Sequence, residues 1–430
     1  DDRPFVQDAA IRLVSGAVGI TALVLFCMAL APWLPSPAQR RWLAIVFGLF
    51  WLFPYHFTRT SSEAAATVLL LLGLSALSLL RNQPQEQAPG RTEPAAANAL
   101  EPSPAGLVLC AICMGLMFNA RYQTGFIVLA VALWLMLVQK TAYRQLALFG
   151  AVVLATVAAG LGIDAVGYGE FEWVPWNYLK VNVFEGRAAT FGTSPWYHYL
   201  LFMLILPIGP VLLLAALVFW LRYPKNLFTW IMLSFILVHV ALGHKEIRFL
   251  SPIAPLALAA FVFVIPVNWF AESRSGNPFT ERGPWLRWAF YFFLACNIAG
   301  LLLVTLRPPR PAIAAHQFIQ RTEPDHFEFY SLGATPYRLH QTGGPRIEFY
   351  APGRVTHHRL ESLAQLPAVL EREAPVYFYH PDYKLPDSAG FDPVRERCTL
   401  LYRSLDPAWD RWDYPGWLRR FATSSIYRCE

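Results

Sequence analysis

DAVGYGEFEWVPWNYLKVNVFEGRAATFGTSPWYHYLL, residues Asp164–Leu201, is the longest polar stretch between two apolar runs of the sequence. It mixes carboxylates (Asp164, Glu170, Glu172, Glu185), cations (Lys180, Arg187) and rings able to stack (Trp173, Trp176, Tyr178, Trp196, Tyr197). A chain that only crosses a bilayer turns round in a handful of residues, so an aromatic loop of this length is read as holding a ligand. Gly167, Gly169, Pro175, Gly192 and Pro195 favour fixed turns over a helix. Aromatics beside carboxylates suit a carbohydrate, which offers apolar C–H faces and a rim of hydroxyls. An interfacial belt, in which Trp and Tyr sit at headgroup level for solvation alone, uses the same residue types.

Outward from this stretch the sequence is apolar. Of 430 residues, 55% are hydrophobic and 15% charged, and mean hydropathy is +0.36, a balance that belongs to integral membrane proteins rather than soluble domains. The net charge of +6 is small for that length and calls for no nucleic-acid partner. Apolar runs cover Ile11–Leu34, Trp42–Tyr55, Ala64–Leu80, Ala105–Met117, Gly125–Val138, Leu146–Ile163, Leu200–Leu221, Leu227–Leu242, Phe249–Val267 and Trp288–Leu306. They predict ten spans of an α-helical polytopic membrane protein, although several fall short of the ~20 residues that a full crossing takes.

Two of the short turns look alike. GLFWLFPYHFTRTSSE (residues 48–63) and GLMFNARYQTG (residues 115–125) each hold one arginine, Arg59 or Arg121, with aromatics between apolar stretches. Both read as hairpins whose turns sit shallow in the membrane or line a cavity. A charge at membrane depth is a functional hypothesis by default, while snorkelling to the headgroups accounts equally for either arginine taken alone. If loops alternate sides, one set carries Arg40 with Arg41, Arg81 with Arg91, Lys140 with Arg144, Arg222 with Lys225, and Arg274 with Arg282. That set is cytoplasmic by the positive-inside rule. Both arginine turns, the long aromatic stretch and the turn at His244-Lys245-Glu246 then fall together on the outer face, as one active site requires.

The character changes after Leu306. Arg307-Pro308-Pro309-Arg310-Pro311 is a stiff breaker, and no span-length apolar run follows it. Phe327–Leu332, Arg346–Tyr350, Pro375–Tyr379 and Thr399–Arg403 have the short alternating or apolar pattern of strands, and His358–Glu373 that of an amphipathic helix. The division expected is a membrane domain over 1–306 and a small soluble extracytoplasmic α/β domain over 307–430. Gln83–Pro104, rich in Ala, Pro, Gln and Glu, reads as a flexible cytoplasmic linker. Cys27, Cys110, Cys113 and Cys296 lie in apolar spans, where a thiol acts as a small hydrophobe. Cys398 and Cys429 are the two cysteines of the outer domain and are a candidate disulfide in an oxidising compartment.

His244-Lys245-Glu246-Ile247-Arg248-Phe249 packs three cation-capable groups and one carboxylate between two spans. Such charge at a membrane interface is costly unless it is paired or meets a ligand, and Lys with Arg suits a lipid phosphate. An internal ion pair of Glu246 with Arg248 or Lys245 fits the same residues.

HKExRFL in that turn, YGxxxWxPWNYLxxNxxxG and FGTSPWYxY before it, and RTxS at Arg59–Ser62 resemble the dolichol-linked mannosyltransferases of N-glycan and GPI-anchor assembly, family 22 of the C-type glycosyltransferases. The resemblance runs from about Ile11 to Arg307. It implies the GT-C fold and an inverting transferase. The sugar, usually mannose, would pass from a polyprenyl or dolichyl phosphate to a hydroxyl of a saccharide or glycolipid acceptor on the outer or lumenal face. No cofactor, nucleotide sugar or metal is expected. Short loops, Ala/Leu-rich spans and the lack of an N-x-S/T sequon tilt the expected location toward a bacterial inner membrane over the ER membrane.

Inversion by direct displacement needs a carboxylate to take the acceptor proton and cations to stabilise the departing phosphate. His244, Lys245, Arg248, Arg59 and Arg121 are the expected donor-phosphate contacts. Trp173, Trp176, Asn177, Tyr178 and Trp196 would shape the sugar and acceptor pocket, with Glu170, Glu172 and Glu246 as its carboxylates. The family's base is an acidic residue in the first outer loop, in a pattern like HPDE, and no such motif occurs here. Asp1–Asp8 look like the tail of that loop. The base and a first span are therefore expected upstream of Asp1, and the Asp1–Glu430 chain is expected to lack transferase activity. Asp164 and Glu170 are the fallback bases, and Glu63, at the mouth of an apolar span, is a poorer candidate. A transporter or flippase of lipid-linked saccharides is the alternative, since it too needs a basic, aromatic, lipid-facing cavity.

Overall fold

The computed structural model describes residues 3–430 except 35, 81–101, 207, 265–283, 307–310, 324, 333–354, 374, 381–384, 386–388 and 405–423. Contacts divide the chain into two units, Arg12–Leu302 and a second made of Leu303–Glu430 with Asp1–Ile11. The division at Leu302 falls inside a helix that continues to Leu306, four residues short of the composition change in the sequence.

The first unit is helical. In chain order its helices are α1 (Arg3–Leu30), α2 (Pro37–Leu49), α3 (Leu52–Phe57), α4 (Ser62–Leu79), α5 (Pro104–Ala120), α6 (Gly125–Leu137), α7 (Tyr143–Tyr168), α8 (Val174–Leu179), α9 (His198–Ile205), α10 (Gly209–Arg222), α11 (Leu227–Ala241), α12 (Ala254–Val264) and α13 (Pro284–Leu306). Among the described residues, four helical stretches are long and apolar enough to cross a membrane: Val6–Trp33, Ser62–Leu79, Tyr143–Tyr168 and Ile247–Val264. Five shorter apolar helices, from Pro104–Ala120 to Tyr291–Leu302, carry five more of the apolar runs. The run Trp42–Tyr55 is not one helix: it breaks at Phe50, whose backbone is extended, into α2 and α3. Leu200–Leu221 is likewise divided into α9 and α10, and Leu206 is extended as a residue preceding proline must be. Arg3–Asp8, read as the end of a loop, form the first turns of α1.

The two arginine turns exist, but the helices they join are not simple hairpins. α5 packs on α4 and α7, and α6 packs on α11. Small residues permit this approach, as is usual between membrane helices. A Cβ on Gly106 would lie 2.7 Å from the Ala76 carbonyl oxygen of α4, and one on Gly115 would lie 2.6 Å from Thr156 of α7. Trp134 of α6 donates its indole N–H to the Lys225 carbonyl ahead of α11, at 2.8 Å.

The stretch Asp164–Leu201 is more helical than its glycines and prolines suggest. Asp164–Tyr168 is the last turn of α7, and Gly169 ends it with φ +79°, the left-handed position that favours glycine. Pro175 stands in the first turn of α8, where its missing N–H costs nothing. A π turn at Lys180–Phe184 and a 3₁₀ turn at Arg187–Phe191 follow, bounded by Gly186 and Gly192, both at positive φ.

The second unit contains α14 (Pro311–Thr322), β1 (Phe327–Leu332), β2 (Val355–Leu360), α15 (Leu366–Glu373), β3 (Val376–His380), α16 (Asp392–Arg397), β4 (Cys398–Arg403) and β5 (Ser425–Cys429). The five strands form one sheet in the order β2-β1-β3-β5-β4. β1 pairs in parallel with β2 and β3, and β5 runs antiparallel to β3 and β4. β3 is central and buried along its whole length. Tyr377 and Tyr379 pack with Ala315 and Ile319 on one face, and Val376 and Phe378 pack with Leu366, Leu370 and Val394 on the other. The helix expected over His358–Glu373 is corrected here. His358–Leu360 complete β2, held by pairing of Tyr330 with His358, and Ser362 caps a short turn before α15 begins at Leu366. Cys398 and Cys429 face each other in register between β4 and β5 and are disulfide-bonded. The strand expected at Arg346–Tyr350 and the linker at Gln83–Pro104, apart from its last three residues, lie outside the described residues.

Candidate functional site

Two helix ends and one turn build an ionic cluster, buried at Glu63 and Arg121 and exposed at Arg248. Ser61 caps α4 by accepting a hydrogen bond from the Ala64 amide, which places Glu63 in the first turn, where the helix dipole favours a carboxylate. α5 ends at Arg121, whose backbone turns extended, and Thr124 locks the turn by donating its hydroxyl to the Arg121 carbonyl at 2.8 Å. The Arg121 side chain then points inward. Its Nη1 lies 2.9 Å from Glu63 Oε1, both side chains being under one-tenth exposed, and donates to Ser62 Oγ at 3.3 Å. Arg121 Nε and Nη2 are buried with no hydrogen-bond partner among the described residues.

The turn after α11 supplies the rest. Arg248 grips Glu246 side-on, Nε to Oε2 at 2.5 Å and Nη2 to Oε1 at 2.9 Å, and its Nε is also 3.8 Å from Glu63 Oε1. Phe249 lies under both guanidiniums, with its ring centroid 5.0 Å from Arg121 Cζ and 5.8 Å from Arg248 Cζ. His244 bridges the Gly192 carbonyl (Nδ1, 2.8 Å) and Glu246 Oε1 (Nε2, 3.2 Å). Burial raises the Glu246 carboxyl, but hydrogen bonds from Arg248 and His244 lower it further, and it ends below the ordinary carboxylate range.

Lys245 is turned away from this cluster. Its ammonium, nearly buried, donates to the carbonyls of Leu242 and of Ser194, the latter at 3.1 Å, and burial lowers its pKa. With the Ser194 amide bonded to the Gly243 carbonyl at 2.9 Å, three contacts fasten the end of the aromatic stretch to this turn. The lysine expected at the donor phosphate is thus a clamp between two chain segments in this structure.

The other expected residues divide. Arg59 stands over the Tyr55 ring, 4.5 Å from its centroid, on an exposed turn and outside the ion pairs. Tyr178 joins the aromatic stretch to the Arg121 turn: its hydroxyl accepts from Gln123 Nε2 at 3.0 Å and its ring meets Tyr122 edge-on at 5.5 Å. Asp164 is half-buried at the end of α7, within electrostatic reach of Tyr122. Asn177 donates to Glu172 Oε2 at 2.6 Å. Trp173, Trp176 and Trp196 are more than half exposed, Trp173 and Trp196 meeting Phe171 and Tyr197 edge-on and Trp176 lying at a tilt to Phe184, and Glu170 is exposed. They form an aromatic surface rather than a closed pocket. Glu63, a poorer candidate for the base in the sequence, is the buried partner of Arg121. A carboxylate in the first turn of an apolar span needs a partner, and that was the available signal. Among the described residues no three His, Cys, Asp or Glu side chains converge as a metal site requires.

Residues 6–329 match the sequence profile of the Alg9-like mannosyltransferase family. GPI alpha-1,2-mannosyltransferase 3 of Xenopus laevis is 27% identical over 224 residues, which is 49% of this chain and 37% of that protein. Mannosyltransferase APTG1 of Arabidopsis thaliana is 26% identical over 273 residues, 60% of this chain and 46% of that protein. The chain thus spans less than half the length of these relatives. In fold it is similar to ArnT from Cupriavidus metallidurans in a crystal structure with undecaprenyl phosphate bound. The TM-score is 0.51 at 14% identity, covering 97% of this chain and 83% of that one.

Proposed function

The chain belongs to the Alg9-like mannosyltransferase family, and from that premise we propose that it transfers a hexose, mannose by the names of its relatives, from a polyprenyl-phosphate donor to an acceptor hydroxyl. Transfer occurs with inversion on the extracytoplasmic face of a membrane that it crosses many times, the bacterial inner membrane rather than the ER. One observation carries the reading: Arg121 is buried at the meeting point of α4, α5 and the Glu246–Phe249 turn, with two guanidinium nitrogens unpartnered. Such donors are costly to leave unmade and suit an anionic oxygen. The undecaprenyl phosphate bound to ArnT, a chain of the same fold, supports a polyprenyl phosphate as that anion.

Arg121 and Arg248 bind the donor phosphate and take up the charge that develops on it as the C1–O bond breaks. Glu63 and Glu246 hold the two guanidiniums in place; their oxygens already receive N–H bonds, which suits them poorly to taking a proton. The proton of the acceptor hydroxyl goes to another carboxylate, for which Asp164 and Glu170 are the candidates within this sequence. Tyr178, tied to the Arg121 turn, and the exposed rings of Trp173, Trp176 and Trp196 offer stacking faces for the sugar and the acceptor. The lipid-linked sugar is a substrate, and no cofactor takes part.

The test uses protein expressed from its complete reading frame, reconstituted with radiolabelled polyprenyl-phosphate mannose and glycolipid acceptors. A new glycoside with the opposite anomeric configuration is expected. Movement of the labelled lipid between leaflets with no glycoside formed would make the protein a transporter of lipid-linked saccharide instead.

A further inference from the structure

Helices α9 and α11 hide polar groups that the ionic cluster does not use. His239 of α11 is 1% exposed, with Nδ1 2.8 Å from the Phe235 carbonyl oxygen. A carbonyl only accepts, so Nδ1 carries the proton and the neutral ring keeps its lone pair on Nε2, which is buried without a partner. Tyr199 of α9 is 4% exposed, and its hydroxyl, close to the Glu246 backbone, makes no hydrogen bond of ordinary geometry. Both lie within electrostatic reach of Arg121. The Phe249 ring that Arg121 covers is also 6.2 Å from the His239 ring. Beside the cluster there are therefore two unmet guanidinium donors, one unmet acceptor and one hydroxyl able to play either part.

This set does not match a bare phosphate. A phosphate dianion, the main form of a monoester above its second pKa of about 6, has no hydrogen to give His239, and an apolar chain would leave all four groups unmet. A group that carries an anionic oxygen next to a hydroxyl satisfies them, and among ligands of the proposed reaction that is the sugar-phosphate headgroup. We propose that Arg121, Tyr199 and His239 form a headgroup subsite in which Arg121 Nε and Nη2 donate to the phosphate and His239 Nε2 accepts from a sugar hydroxyl. Tyr199 spans the two. His239 is then a specificity residue that separates the loaded donor from the spent polyprenyl phosphate. The inference rests on the function proposed above.

The experiment measures equilibrium affinity of the detergent-solubilised chain for a short-chain polyprenyl-phosphate mannose and for the same polyprenyl phosphate without sugar. The ratio of the two is taken within each variant, so that a changed folded fraction cancels. Wild type should favour the sugar-bearing lipid about tenfold, the scale of one buried hydrogen bond. In His239→Phe, which keeps the ring against Phe235 but accepts nothing, the ratio should fall to about one with polyprenyl phosphate binding unchanged. Tyr199→Phe should lower the ratio in the same direction. Mannose 1-phosphate, supplied as a soluble competitor, should displace the sugar-bearing lipid better than inorganic phosphate does. A His239→Phe ratio equal to wild type overturns the subsite, as does displacement by inorganic phosphate as effective as that by mannose 1-phosphate. Wild type that binds neither lipid overturns the proposed function as well, which sets the two failures apart.

Discussion

Glu63 and Arg121 come from helix ends separated by 58 positions, and each is tolerable at its depth because of the other. Removing one partner of a buried pair leaves an uncompensated charge. Glu63→Gln should destabilise the chain by about 3 kcal/mol, read from thermal unfolding in detergent. Adding Arg121→Met should restore most of that loss; additive losses in the double variant would show that the two do not interact. Glu246 gives a pH signature. Its folded pKa lies below the ordinary 4.5, so the stability it contributes is full above that value and disappears as pH falls through the lower folded one. The stability difference between wild type and Glu246→Gln should therefore be present at neutral pH and vanish in the acid range below 4.5; a difference that grows on acidification would contradict the pairing. Much of this cluster was legible in sequence, because three cations beside a carboxylate between two spans need either partners or a ligand. The direction of Lys245 was not, since charge says nothing about which carbonyls a flexible ammonium reaches. His239 sat inside the apolar run Leu227–Leu242, and Tyr199 closed the FGTSPWYxY motif; neither was assigned a role.

The elements owe their placement to close approach. Gly106 lies against the backbone of α4, with the Ala76 and Leu80 carbonyls 2.7 and 3.1 Å from where a Cβ would stand. Backbone cannot yield as a side-chain tip does, so Gly106→Val should part α4 from α5 at that end and lower the unfolding temperature more than Gly150→Ala, whose added methyl meets nothing within 4 Å. Equal effects of the two substitutions would remove helix approach as the cause. Helix existence was readable from apolar runs, and the edges of Ala64–Leu80, Gly125–Val138 and Leu227–Leu242 agree with the ends of α4, α6 and α11 to within two residues. Breaks inside runs were not. Phe50 gives no composition signal, and the partners of α5 and α6 are set by small residues scattered among larger ones. In the second unit, β1 and β3 showed in sequence as strongly aromatic strands. β2 was lost because His358 and Arg359 carry no β signal of their own and become strand through pairing with β1.

At the scale of the whole molecule, the loop cations predict one orientation in the membrane. Thr193→Cys, on the exposed end of the aromatic stretch, and Glu361→Cys, on the exposed turn after β2, should react with an impermeant maleimide added to intact cells. Arg144→Cys, at the exposed start of α7, should react only after the membrane is opened. Labelling of Arg144→Cys in intact cells would invert the topology and set the ionic cluster on the cytoplasmic side. The disulfide between Cys398 and Cys429 fits an oxidising outer compartment for the second unit. The central claim is that the Arg121 and Arg248 cluster exists to hold a lipid phosphate, and affinity for a short-chain polyprenyl phosphate tests it most directly. Wild type should bind in a saturable manner, and Arg248→Lys, which keeps the charge but cannot form two parallel hydrogen bonds, should bind at least tenfold more weakly at unchanged thermal stability. Equal affinity in wild type and Arg248→Lys, with the loss appearing only as lowered stability, would make the cluster an internal ion pair and contradict the account.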